Sequence, residues 1–422
     1  MSILEIIATQ VIGEPVILFA IVALIGLILL KKPIEDVVVG VAKTMIGFLI
    51  LTTGADLLTA VVTPIAAWIN AILGVEGVQP TMWAVLSTGM AEYGSVIGTA
   101  LLIGFALNLL LARITPLKGV NITGHIMLLF AAWATTFLAG FGLGSTALVI
   151  VAGVFCALQY WLTPSIIRHF MKDKLTADYS LCMPNVSGIA LTSWLSPLIG
   201  DPRKNFQDIE VPDRLNWVRD SVVSIAIFGS VLWFALGLLA GPAVVAESTG
   251  GQNWIIFLIL HGVKFSAGVA VVLYGVRMLL GEIVPAFQGI AKRVIPGAVL
   301  ALDYPTVYHF SPTAVFVGFF SKLFGAIVGT LLQLLAGLPV IVLPSVFMDF
   351  WDGALLGVFA DKFGGRRAAL LVPFLVGIVV QFIWALAYPH TGGFLTANAL
   401  AMDYPDTGFI SLILGWIMNL FS

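Results

Sequence analysis

Residues 264–309 read KFSAGVAVVLYGVRMLLGEIVPAFQGIAKRVIPGAVLALDYPTVYH. The punctuation of this stretch recurs 221 residues upstream, where Lys43, Gly47, Gly54 and Pro64 echo Lys264, Gly268, Gly275 and Pro285. Glycine and proline both weaken helices, so four matches at one interval inside apolar runs point to an internal duplication rather than to shared hydrophobicity. Gly104 with Gly325 and Ala139 with Ala360 add weaker matches at the same interval.

The chain has 422 residues, 60% hydrophobic and only 10% charged. A soluble domain carries about 25% charge, so this is an integral membrane protein. A hydrocarbon core needs roughly 20 apolar residues per helix, and the alternation expected of a membrane barrel is absent, which leaves helices. The reading is an all-α polytopic protein with about eleven spans, near 16–30, 34–62, 93–113, 119–139, 144–164, 220–241, 254–281, 311–335, 340–360, 367–388 and 406–421. The net charge of -2 gives no footing for nucleic acid. Cys156 and Cys182 suggest neither a disulfide framework nor a metal site. Residues 1–15 contain no Lys or Arg and so lack the basic start of a signal peptide; they are expected to form a short interfacial helix.

Cytoplasmic loops retain Lys and Arg. Lys31 and Lys32, Arg113 and Lys118, seven basic residues in 165–219, Lys292 and Arg293, and Lys362, Arg366 and Arg367 all fall on one side if the amino terminus is outside and the carboxyl terminus cytoplasmic. The second span then runs outward and the seventh inward, although they share the duplicated pattern. The duplication is therefore inverted, with five spans in residues 1–164 and five in 220–388, a connection over 165–219, and a last span within 389–422. Inverted repeats with Gly- and Pro-interrupted helices characterise secondary-transporter folds, with substrate near the midplane.

Within the connection, PNVSGIALTSWLSPLIG at 184–200 is apolar but too short to cross, and reads as a re-entrant or interfacial element lining protein or a wet cavity. The polar tract 201–220 is either a docking surface for a cytoplasmic partner or a plain solvated loop.

Polar groups inside a bundle are functional by default. His125, in ITGHIM, is the first candidate for a substrate site. Asp303 follows a break at Pro296 and Gly297, where a carboxylate either accepts hydrogen bonds from substrate hydroxyls or caps the next helix. Lys43 and Lys264 read as scaffold residues that snorkel or bond carbonyls. Asp56 and Arg277 occupy equivalent repeat positions with opposite charge, suited to pairing or to interfacial anchoring. Asp349 and Asp352 share a helix face and suit proton relay or cation binding. His261 and His309 are weaker candidates, and His390 is placed at the outer interface. GFGLG at 140–144 has no preceding strand and is not a phosphate loop. No P-loop, zinc spacing or Ser/His/Asp arrangement stands out, and the sequon at Asn185 is placed on the cytoplasmic side.

GVRMLLGEIVPAFQGIAKRVIPGAVLALD at 275–303, TGHIM at 123–127 and GALLGVFADKFGGRRAAL at 353–370 resemble the ascorbate-type membrane permeases, the IIC components of the bacterial phosphoenolpyruvate-dependent phosphotransferase system. The resemblance covers nearly the whole chain. It implies an eleven-span homodimer whose protomers combine a V-shaped scaffold with a mobile core. It implies transport in which a cytoplasmic IIB partner, charged through IIA and the general phosphocarrier, phosphorylates the sugar. This chain would then be no enzyme and need no cofactor. By position, His125, Ile126, Met127, Leu128 and Leu129, with Asp303, match the family's substrate-binding residues, and Thr81 matches a Thr before the third span. Leu129 stands where the family has Gln, and Ser187-Gly188 where it has His-Gln, with Asn185 the larger polar group nearby. A site that loses such hydrogen-bonding groups is expected to change its ligand or affinity, so the substrate class extends from ascorbate to related sugars and sugar acids. The rivals are a proton- or sodium-coupled secondary transporter using Asp349, Asp352 or Asp303, and a non-transporting membrane scaffold or receptor.

Overall fold

The computed structural model describes residue 11 and residues 14–419, apart from 76, 173, 176 and 209–219. The interfacial helix expected over 1–15 and most of the 201–220 tract lie outside the described residues. The elements run α1 (Pro15–Leu29), α2 (Ile34–Leu73), α3 (Met82–Ile114), β1 (Gly119–Asn121), α4 (Gly124–Ala139), α5 (Ser145–Met171), β2 (Tyr179–Leu181), α6 (Val186–Ile199), α7 (Ser221–Ala240), α8 (Pro242–Ser248), α9 (Trp254–Arg293), β3 (Val299–Leu302), a 3-10 segment Tyr304–Phe310, α10 (Pro312–Leu335), α11 (Val346–Ala387), α12 (Gly393–Ala397) and α13 (Pro405–Ile410). Among the described residues the fold is thus almost wholly helical, with three very short strands.

The two longest uninterrupted helices carry ordinary boundary signals. Glu35 and Asp36 lie in the first turn of α2, which ends at left-handed Gly74, and the Asn253 side chain accepts from the amides of Ile255 and Ile256 to start α9. Acids at the start, a side-chain cap and a left-handed glycine at the end satisfy orphan backbone groups or the helix dipole. These two helices form an antiparallel pair built on the repeated glycines. A Cβ on Gly47 would come 2.7 Å from the Leu279 nitrogen, and one on Gly268 would come 2.8 Å from the Leu58 side chain. Gly54 meets Val272 in the same way, and Gly275 meets the backbone of Leu51. Each contact is reproduced when both partners are moved to their echoes 221 residues away. Lys43 reaches Glu282 across this pair at 3.2 Å.

Other bounds recur at the same interval. α4 over 124–139 corresponds to the start of α11, α5 over 145–171 to its second leg, and the end of α3 to α10.

Among the described residues six helices are long and apolar enough to cross a membrane, or seven if the bent pair Ile225–Ala240 and Pro242–Ser248 is one span. This is fewer than the eleven runs expected from hydropathy. Four of the apolar helices, including Val16–Leu29 and Gly124–Ala139, have only 10–17 residues, below the length that spans. The runs expected at 340–360 and 367–388 make up a single element, α11. Gly353 and Gly377 nevertheless both touch α10 around Lys322, although a straight helix would hold them roughly 36 Å apart. α11 therefore folds back on itself. The turn is Gly365, whose φ of 71° is a conformation that only glycine adopts without strain, with the Asp201 and Lys204 carbonyls lying where a side chain would be. Lys204 O also accepts from the Arg366 amide at 2.9 Å, which ties the start of the central polar tract to this turn.

The strands form one parallel sheet in the order β1-β3-β2. All but the first residue of β3 are buried, and the sheet is what gathers three distant chain segments.

Candidate functional site

Each strand hands the chain to a functional segment at its carboxyl end. β1 leads to His125 at the start of α4, β3 leads to Asp303 and the 3-10 segment, and β2 leads to Asn185 and α6. Because the strands are parallel and adjacent, residues separated by almost two hundred positions emerge side by side. Asn108 fixes the first exit: its Nδ2 donates to Gly119 O at 3.0 Å and its Oδ1 accepts from the Asn121 amide at 3.1 Å. Asn121 Oδ1 then accepts from the Thr123 amide at 2.9 Å, so the residue before the helix is held from within the sheet.

His125 Nε2 lies 2.9 Å from Asp303 Oδ2, with side-chain exposures of 30% and 19%. The other Asp303 oxygen accepts from the Tyr304 amide at 2.7 Å. The side chain thus caps the 3-10 segment, as one of the two expectations had it, and also lines a cavity. In the tautomer that donates from Nε2, His125 leaves Nδ1 as an acceptor. Together with the free lone pairs of Asp303, this makes a receptor for donor hydroxyls.

The cavity has a volume of about 550 Å³ and is lined by His125, Ile126, Leu129, Asp303, Tyr304 and Pro305 on one side and by Phe48, Leu51, Thr52, Ala55, Asp56 and Thr59 of α2 on the other. Glu14, Val16, Leu49, Met82, Trp83, Phe347, Met348, Trp351 and Tyr404 complete the wall. This is the size and composition of a small-molecule site, apolar with a few polar groups that orient the ligand. The beginnings of α3, α4, α11 and the 3-10 segment converge here, and the positive dipole ends of helices favour electron-rich oxygen.

Of the residues singled out from sequence, His125, Ile126, Leu129 and Asp303 come together on the cavity. Met127 is fully buried, and its carbonyl accepts from Tyr160 Oη at 2.7 Å. Leu128 is half-buried and off the lining. Thr81 precedes α3 and is also off the lining, although its neighbours Met82 and Trp83 are on it. Ser187 and Gly188 lie at the start of α6, away from the cavity; the Ser187 hydroxyl and amide donate to Asp406 at 2.5 and 2.9 Å.

Two layers of support lie behind the cavity; of their charged residues the sequence reading singled out only Asp349 and Asp352, for proton relay or cation binding, and it missed the lysine between them. Lys322, inside α10, lies 2.6 Å from Asp349 and 3.5 Å from Asp352, all three essentially inaccessible. Asp352 Oδ1 accepts from Tyr304 Oη at 2.5 Å and from Asn185 Nδ2 at 2.8 Å. The buried charges are thus wired to the residue after Asp303 and to the chain leaving β2. The second layer comes from the carboxyl-terminal segment. Asp403 accepts from the Met82 amide at 3.1 Å and from the Ser345 hydroxyl at 2.9 Å, joining the starts of α3 and α11. Asp406 accepts from the Val186 amide at 2.7 Å as well as from Ser187, so a distant carboxylate caps α6. Two acids spaced by three residues in an otherwise apolar terminal run were the available signal.

The family described as PTS system sugar-specific permease component matches residues 10–405. The chain is also similar to the ascorbate-specific PTS system EIIC component of Mycoplasma pneumoniae, at 28% identity over 443 positions covering 92% of this chain and 67% of that protein. Such components are transport subunits, and phosphoryl transfer is carried out by other members of the system. A match over nearly the whole length, on a membrane fold whose sheet presents His125 and Asp303 to a solute-sized cavity, places this chain in the family of PTS sugar-specific permease components.

Proposed function

We propose that the chain is the IIC permease for ascorbate or a related sugar or sugar acid, which it carries across the membrane to a cytoplasmic IIB partner served by IIA and the phosphocarrier. The observation that carries this reading is the His125–Asp303 pair, held 2.9 Å apart on a sheet and facing the α2 helix across a cavity. The pair recognises hydroxyl donors, Trp83 and Trp351 offer apolar faces for a sugar ring, and no group in the wall has to perform chemistry. Leu129 on the lining, where ascorbate permeases have Gln, favours a relative of ascorbate with a different hydroxyl pattern.

In this reading α2 and α9 belong to a static scaffold, the sheet-anchored segments to a core that moves past it as an elevator, and the working form is a homodimer. The mirrored glycine contacts and the recurrence of element bounds support inverted five-helix repeats. The fold-back of α11 supports counting its two legs as separate spans within the eleven. The contact between Lys204 and Arg366 supports placing these two tracts on one side of the membrane, taken in this reading as the cytoplasmic side, with the amino terminus outside and the carboxyl terminus inside.

Binding of ascorbate and a panel of neutral and acidic sugars to purified protein, with and without Asp303→Ala, tests the site; unchanged affinity for an accepted substrate removes Asp303 from it. A second reading, ion-coupled transport without phosphorylation, draws on the buried Lys322–Asp349–Asp352 cluster. Uptake that persists without phosphocarrier yet collapses with an uncoupler selects it.

A further inference from the structure

Asp56 and Arg277 are both exposed, and neither has an ion-pair or hydrogen-bond partner among the described residues. Unpaired charges in the middle of long apolar helices are expensive and mark solute pathways. Asp56 lines the same cavity as Tyr304 and Pro305, the first residues of the 3-10 segment. Arg277 is its echo on α9 and lies within electrostatic reach of His309, near the other end of that segment.

The geometry of the scaffold pair fixes how the two charges are related. Two antiparallel helices whose contacts interchange in this way are related by a two-fold axis perpendicular to their common plane. Such an axis carries the front face of one helix onto the front face of the other. Asp56 faces the core, so Arg277 faces it too. The contacts of Gly47 with Leu279 and of Gly275 with Leu51 put Arg277 level with Leu49 on α2. Asp56 is two turns further along that helix, roughly 10 Å away on the other side of the axis. The seven-residue 3-10 segment is roughly 14 Å long and bridges the two levels.

We propose that Asp56 and Arg277 are specificity residues of the scaffold, one for each access state: Asp56 confronts the solute when it enters the present cavity, and Arg277 confronts it after the core has moved by about two helical turns along the scaffold. This rests on the core-and-scaffold reading above. An acidic residue at one mouth and a basic one at the other make the path polar. An anionic solute is opposed on loading by Asp56, which adds to Glu14 and Asp303 on the same lining, and is drawn toward Arg277 on the opposite side, whereas a neutral polyol has no net charge to be opposed or drawn.

Two experiments on the full-length protein in proteoliposomes test this. Cys156 and Cys182 are buried, so Asp56→Cys and Arg277→Cys each supply one accessible thiol. A membrane-impermeant thiol reagent is expected to label position 56 from one side only and position 277 from the other side only. Labelling of both from the same side, or no labelling at 277, overturns the proposal. In the charge experiment, Asp56→Asn is expected to tighten binding of ascorbate, an anion at neutral pH, by about fivefold relative to a neutral hexitol. That is the scale of one unit charge roughly 8 Å away in a partly aqueous cavity. Equal changes for both probes overturn the charge assignment. If the unmodified protein binds neither probe, the sugar-permease reading fails on its own, while the labelling still decides whether the two positions face opposite sides.

Discussion

Replacing Lys322 with Met is the sharpest test of how the site is held. The ammonium lies 2.6 Å from Asp349 Oδ1 and 3.5 Å from Asp352 Oδ2, and the three side chains are 1%, 1% and 0% exposed. Met fills the same volume and removes only the charge, leaving two carboxylates in the protein interior without a cation. Breaking a buried pair by removing one partner costs about 3–5 kcal/mol. Average unfolding entropies per residue give a chain of this length about 0.9 kcal/mol per kelvin, so Tm is expected to fall by roughly 3–6 °C. Melting of the purified protein in detergent, followed by tryptophan fluorescence, reads this directly. The Lys322→Met, Asp349→Asn, Asp352→Asn triple replacement removes the uncompensated charge, and an Asn at 352 retains an oxygen that accepts from Tyr304 and Asn185. It is therefore expected to recover most of the loss. A single replacement that shifts Tm by less than about 1 °C, or a triple replacement less stable than the single one, would refute the view that Lys322 holds these carboxylates.

Asp406→Ala removes three hydrogen bonds from the start of α6 and is expected to cost about 2–3 kcal/mol, against about 1 kcal/mol for Ser187→Ala; hydrogen exchange over 186–199 reads the local loosening. Gly275→Leu places a side chain against the Leu51 backbone, whereas Gly281 on the same helix has open space. The first variant is expected to lose monodisperse protein in size-exclusion chromatography, and Gly281→Leu to retain it. His125→Gln keeps a donor for Asp303 and is expected to weaken substrate binding by about tenfold, while His125→Leu leaves the Asp303 Oδ2 without its donor and is expected to weaken it further, by about a hundredfold; isothermal titration with an accepted substrate separates them.

What was legible in the sequence depends on how far each interaction reaches along the chain. The repeated Lys, Gly, Gly and Pro positions announce the scaffold pair because a glycine that permits close helix contact leaves a local mark. His125 and Asp303 are legible one at a time, as polar residues beside breaks, but not as a pair 2.9 Å apart, since strands of three and four residues are too short to show a period. Ser187 and Gly188 illustrate the limit: their place in the chain suggests the pocket, yet the geometry gives the Ser187 hydroxyl to Asp406, 219 residues away. Lys322 was more accessible to reasoning than it looks. A lysine inside FVGFFSKLFGAIVG cannot snorkel from the middle of a span, so it must find an anion in the bundle. A carboxylate pair inside a neighbouring apolar run, Asp349 and Asp352, is the complement it requires. The cost of burying each charge alone thus predicts the contact between α10 and α11, and with it the anchor of Tyr304 behind the site.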